Sequence, residues 1–404
     1  MILMAARSII LFALLAGILW PTFVRGQALV GRFYPEKQTY FVGEPVLIDF
    51  EITNTGDKAA WIDQRMGEPC TEPDPIEVVG AKHEGIGWDT TFGCYGGVGG
   101  SCPGGAIELK PGAKHIARIF LNSGFRLDRP GTYQVHARRI APVYPSGAFA
   151  ASWTVPKKEF SSDFQISLVQ GTEEELKSAF RPYVEDASTP EQGDHWLAVA
   201  AIESMAPPFL EDLILKLAET PNRVSPVTLL RLNTPRPKQK LVDWAEQSTN
   251  GALQQGAIQA LAETRDPSYM ALLIRIAGRS TDGIRDFAIW GAGLFGEDAI
   301  PFLNSTLHNG DVYARVAAAR GLGLTRSRSA VSILIGALQD PNDEVHRAVT
   351  VSLAELTHRS VTKEPWHESP SPDHYLRWQN WWLKNEHTAQ IYGTDSCVQP
   401  EPFD

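Results

Sequence analysis

Nowhere does this 404-residue sequence carry a long Lys/Arg run, and acidic residues outnumber basic ones by 47 to 37. A formal charge of −10 with no basic stripe argues against nucleic acid and anionic membrane as main partners. Paired Cys-x-x-Cys or Cys-x-x-His spacings are also missing, which removes the usual zinc signatures. So are His-Glu-x-x-His and Gly-x-Ser-x-Gly, hence neither a zinc protease nor a hydrolase nucleophile is written in the chain. Ten histidines are scattered; His358, His367 and His374 have no metal-ligand spacing and read as surface or capping residues. No catalytic residue, cofactor or metal is expected. Apolar length is scarce too. The run from Ile9 to Trp20, preceded by Arg7 and broken by Pro21, falls short of the roughly twenty residues that span a bilayer but suits the core of a secretory signal. A signal peptide over 1–26 is expected, with a cut at Gln27 and export to the periplasm or the exterior. Membrane attachment is expected only if this segment stays uncleaved. Arg7 and Arg25 would leave with it, taking two positive charges from a balance of −10 to give about −12.

Export changes the meaning of the four cysteines, because disulfides persist in an oxidising compartment and four cysteines allow three pairings. Cys94 and Cys102 lie in the string FGCYGGVGGSCPGG, where glycine lets the backbone turn tightly. A disulfide-closed loop is the expected reading. A phosphate cradle would need a Gly-Lys-Ser/Thr ending and a following helix, and neither is present. Cys70 and Cys397 then remain as the second pair, although Cys70 with Cys94 or Cys102 is also feasible.

Residues 28–169 have a period of two. Val46, Ile48, Phe50 and Ile52 alternate with Leu47, Asp49, Glu51 and Thr53 ahead of an Asn54-Thr55-Gly56-Asp57 turn, which predicts a half-buried strand. KHIARIFL, GTYQVHARR and DFQISLVQ continue the pattern, predicting an antiparallel β-sandwich with a long insertion over 65–105 that holds the cysteine loop. The strings YFVGEPVLIDFEITNTG, LKPGAKHIARIFL and RPGTYQVHARR resemble the immunoglobulin-like modules of bacterial exported proteins, some of them related to a proteinase-inhibitor sandwich.

After Gly171 the grammar changes. Thr172 and Glu175 make a capping box, so 170–192 reads as a connecting helix followed by a linker, RPYVEDASTPEQGD. Over 193–360 alanines recur about every thirty residues, at Ala257, Ala288, Ala317 and Ala348, a spacing that belongs to five or six stacked helical hairpins in an α-solenoid. This region resembles HEAT repeats of the short, phycobilisome-lyase-like type. The resemblance is carried by Asp282 with Arg285, Asp311 with Arg315, Asp343 with Arg347, the alanines, and Gly321-Leu322-Gly323. No cysteine between Cys102 and Cys397 could serve a bilin or iron–sulfur group. An Asp near a helix start suits the dipole there, and an Arg one turn on can reach a carboxylate of the next repeat, holding the stack in register. A line of ligand-binding arginines is the alternative.

The segment 361–404 is tryptophan-rich. Tyr375, Trp378 and Trp382, with Trp381 alongside, predict a terminal helix that covers the last exposed core face; an aromatic platform for a sugar or peptide is the rival reading. The whole chain is expected to be a multidomain β plus α protein: a non-enzymatic scaffold whose repeat surface binds a protein or peptide. The alternative is a peptidase inhibitor or hydrolase acting through the sandwich loop or the groove between domains.

Overall fold

The computed structural model describes residues 29–63, 76–83, 106–144, 157–189, 196–220, 224–232, 234–280, 283–361, 371–392 and 401–403. The N-terminal region is β-rich. Its strands are β1 (Leu29–Pro35), β2 (Thr39–Phe41), β3 (Leu47–Asn54), β4 (Ala60–Asp63), β5 (Ile76–Val79), β6 (Lys82–His83), β7 (Ala106–Leu109), β8 (Lys114–Phe120), β9 (Phe125–Arg126), β10 (Gly131–Tyr144) and β11 (Lys157–Val169). One sheet runs β1-β3-β8 and is antiparallel throughout. A second runs β2-β11-β10-β4-β7, with β5 also on β10. Its β2–β11 pair is parallel, a departure from the all-antiparallel expectation. Val46 and Ile48 share one apolar cluster with Val135 and Ile166, while Phe50 and Ile52 share another with Ile62 and Phe160. Both clusters are filled from the two sheets, and burial of such side chains supplies the main favourable term in folding.

The C-terminal region is helical: α1 (Glu173–Ser188), α2 (Trp196–Met205), α3 (Glu211–Glu219), α4 (Pro235–Gln247), α5 (Gly251–Glu263), α6 (Pro267–Arg279), α7 (Gly283–Ala292), α8 (Ile300–Asn309), α9 (Val312–Leu324), α10 (Arg328–Ala337), α11 (Asp343–Thr357) and α12 (Pro372–Asn385). Two short strands, β12 (Arg359–Ser360) and β13 (Glu401–Pro402), pair in parallel near its end. The capping box of α1 forms with both of its hydrogen bonds. That helix does not stop at Arg181-Pro182, where the sequence suggests a linker; it continues to Ser188. Phe180 and Ala187 are buried on it, and Phe180 meets Phe209 edge-to-face at 5.8 Å. This packing outweighs the one hydrogen bond that proline removes. Residues Pro226–Leu232 form a 3-10 helix, whose period of three places Leu229 and Leu232 together in the core.

Helices pack in neighbouring pairs, α4 with α5, α6 with α7, α8 with α9 and α10 with α11, while α5, α7, α9 and α11 also pack on one another in sequence. The recurring alanines lie in that second set of contacts and are buried. The β-rich region meets the helices through β3 and β8. Leu47, Phe120 and Ala201 form a small cluster under α1 and α2. Leu47, on the face of β3 that alternation assigns to solvent, is therefore buried; Asp49 on the same face is buried too, and Arg118 Nε donates to it at 3.0 Å.

Candidate functional site

Helices α9 and α11 start under side-chain control. Asp311 caps α9 by accepting from the Ala314 amide at 2.9 Å, and Asn342 caps α11 through the amides of Glu344 and Val345. The Asp311 carboxylate also takes both terminal nitrogens of Arg285, at 2.6 and 3.0 Å, while Arg285 Nε donates to Asp286 at 2.8 Å. Those bonds hold the Arg285 guanidinium more firmly charged than usual and the Asp311 carboxyl below its ordinary range. One helix pair further on, Arg315 makes a bidentate pair with Asp340 at 2.8 and 3.1 Å and donates to the Gly310 carbonyl. Such forked pairs fix geometry as well as adding energy. Asp343 and Arg347 lie exposed on α11 and contribute nothing to these contacts. The acceptor there is Asp340, because Asn342 takes the cap and its own amide donates to Asp340 at 2.9 Å. Asp282 lies outside the described residues.

Helices α7, α9 and α11 also carry half-buried and exposed side chains, of which Phe287, Trp290 and Val316 pack against the margin of the core. On α7 the half-buried Phe287 and Trp290 meet edge-to-face at 5.1 Å. On α9 Tyr313 is 67% exposed, with Val316 and the exposed Arg320 at helical spacing beyond it. On α11 the corresponding stripe is Arg347, Val351 and Glu355. Burial pushes the Glu355 carboxyl up to about 7, with Arg320 pulling the other way.

Helix α12 lies against α10. Trp378 is fully buried and Trp382 nearly so, while Tyr375 and Trp381 are half-buried. Trp382 Nε1 donates to Ser332 at 2.9 Å, and Arg328 lies over its ring. Beneath α12, His346 is 2% exposed and neither of its ring nitrogens has a hydrogen-bond partner; the ring of His374 is 5.6 Å away. Burial pushes both imidazoles down, so both are neutral at pH 7. Strand β13 adds to β12 beside these residues, and Phe403 packs on Trp378 and Trp381 at 4.7 and 5.5 Å between ring centres. A cavity of about 250 Å³ adjoins, bounded by Thr357, Arg359, Trp381, Asn385 and Tyr392.

One local device escaped the sequence reading. Arg265, Arg326 and His358, each directly after an alanine-rich helix, have φ of 52°, 55° and 50°. Each follows a threonine whose hydroxyl donates back into the helix and accepts from the backbone amide two residues on: Thr264 from Asp266, Thr325 from Ser327 and Thr357 from Arg359. At the equivalent end of α7 the left-handed residue is Gly296. The signal was present as Thr-Arg, Thr-Arg and Thr-His dipeptides.

Cys70, Cys94, Cys102 and Cys397 all lie outside the described residues, as does the glycine-rich string around them. Among the described residues no group of three or more His, Cys, Asp or Glu side chains is placed to hold a metal, and no helix is long and apolar enough to cross a membrane.

Residues 300–364 match the family model of HEAT repeats. No curated protein matches the chain. Among solved structures, the native conformation of E. coli alpha-2-macroglobulin is matched at 12% identity over 80% of this chain and 25% of that one, with a TM-score of 0.18. The same protein activated by porcine elastase is matched at 12% identity over 81% of this chain and 37% of that one, with a TM-score of 0.19. The chain thus spans 25% to 37% of those chains, and at such TM-scores the likeness carries no argument.

Proposed function

We propose that this chain is an exported, non-enzymatic interaction protein. In this reading an immunoglobulin-like sandwich supports a solenoid of short HEAT repeats, and the Tyr313 side of α9, with the neighbouring stripe of α11, binds a protein or peptide. The observation that carries it is Tyr313. An aromatic ring 67% exposed shares one side of α9 with the exposed Arg320, seven residues on. Tyrosine, tryptophan and arginine are the residues on which interface energy concentrates, and stacked helical repeats offer a long continuous surface rather than one pocket. The HEAT match over 300–364 includes α9 and α11, and repeats of this kind generally mediate protein interaction. The forked Arg285–Asp311 and Arg315–Asp340 pairs hold the register of that surface.

The test compares the unaltered chain with a Tyr313→Asp/Arg320→Glu variant in pull-downs from envelope extracts. Partners retained by the first and lost by the second, at equal melting temperature, support the assignment. Identical capture by both excludes this face. Export is tested on the protein recovered from the producing cell, whose N-terminus is expected at Gln27.

A further inference from the structure

The two-residue strand β13 pairs with β12 beside the cavity. Its attachment consists of contacts that recognise a peptide. Glu401 N donates to the His358 carbonyl and Phe403 N to the Ser360 carbonyl, both at 3.0 Å. These two bonds fix direction and register against β12, as in strand addition to a free edge. Pro402 lies between them, at the position whose nitrogen faces away from β12 and needs no proton. Arg359 Nη1 pairs with Glu401 at 2.7 Å. In an extended chain, residues two apart share a side, and at the second such position the Phe403 ring enters the tryptophans of α12 and comes within 6.0 Å of the Arg377 guanidinium. The cavity of about 250 Å³ shares Arg359 and Trp381 with this slot, leaving room beside the bound strand for one more side chain.

We propose that the slot between β12 and α12 is a peptide-recognition groove for an extended segment bearing a carboxylate two residues before an aromatic ring, and that residues 401–403 are its resident occupant. The inference rests on the reading of the chain as an interaction protein, and it names the chemistry of the partner. An occupant carried on the same chain is present at high effective concentration. A partner segment must therefore displace it, which makes the groove a competitive switch.

The probe is a fluorescein-labelled peptide of the sequence Val-Gln-Pro-Glu-Pro-Phe. Fluorescence polarisation compares the unaltered chain with a Glu401→Gln/Phe403→Ser variant, in which the slot is vacated. Uptake at least tenfold tighter by the variant is expected, with loss of binding when the peptide's Phe is replaced by Ser and several-fold weakening when Arg359→Ala is added to the variant. A variant that keeps its helical circular dichroism and melting temperature but takes up no peptide overturns the proposal, as does equal binding of the Phe and Ser peptides. Should vacating the slot unfold the end of the chain, a peptide with benzophenylalanine in place of Phe is added in excess to the unaltered chain. Cross-links confined to 357–392 are expected, and none, or links elsewhere, overturn it. The Tyr313→Asp/Arg320→Glu protein is the control. It should take up the peptide as its parent does, so failure of the groove and failure of the helical face are read separately.

Discussion

At Arg265, an exposed residue, a left-handed backbone conformation is held without any gain from its side chain. L-residues with a Cβ lose roughly 1–2 kcal/mol there, whereas glycine does not. Arg265→Gly should therefore raise stability by about 0.5–1 kcal/mol, visible as a higher urea midpoint at unchanged slope; a lower midpoint would show that the arginine serves the fold. Titration gives a second expectation, because two neighbouring sites have opposite signs. The folded pKa of Glu355 is raised to about 7 by burial, so its contribution to stability is present at low pH and lost as pH climbs from the ordinary glutamate range toward 7. His346 is lowered by burial and by His374, with Asp343 opposing; His374 is itself flanked by Asp373 and Arg377. Its contribution is present above about pH 6.5, the ordinary histidine value, and is lost as pH falls. Melting curves between pH 4.5 and 8 should show Glu355→Gln raising stability on the alkaline side by on the order of 1 kcal/mol, discounted for partial exposure. His346→Leu should flatten the acid side, and an unaltered acid slope would remove His346 as its source.

Among the elements, the alanine and glycine pattern was legible because close helix approach selects small residues wherever it occurs. A Cβ built on Gly293 would stand 2.0 Å from the Gly321 carbonyl oxygen, and one on Gly323 would meet Ser352 at 2.9 Å. Gly293→Ala must then push α9 away from α7. A loss of roughly 1–3 kcal/mol is expected from that overpacking, whereas Gly278→Ala on α6, with open space around it, should gain up to about 1 kcal/mol from helix propensity. Thermal melts of the two variants that shift the same way would contradict the close approach. The capping box of α1 and the strands around Ile48, Ala117 and Val135 were legible for a similar reason, since each rests on spacing within one element. Burial of Leu47 was not legible, because a helix far along the sequence, at Ala201, covers it. Nor was Asp340, whose role depends on which of three polar residues before α11 takes the cap. Strand β13 has no periodicity at all; the carbonyls of His358 and Ser360, which accept from the amides of Glu401 and Phe403, make Glu401–Pro402 a strand.

Among the described residues, the helices that carry the alanines touch chiefly their neighbours, and the β-rich region packs on the helical one at the α1–α2 end. In such an arrangement stability is close to a sum of local terms, so damage at one end should stay there. Helix α12 is the place to test this. Trp378 is 0% exposed and Trp382 6% exposed, and replacing either by alanine should cost about 3–5 kcal/mol through lost burial and the cavity left behind. Trp382 also loses its bond to Ser332 of α10, so the loss should pass first to α10 and α11, and through them to α9. Hydrogen exchange on Trp382→Ala should show faster exchange from Asp311 to Thr357 while the amides of β3, β10 and β11 keep their protection. Unchanged protection in α10 and α11 would mean that the tryptophans do not close the stack. Equal loss in the strands would mean that the two regions unfold as one unit, with the Leu47, Phe120 and Ala201 contact coupling them more strongly than its small area suggests.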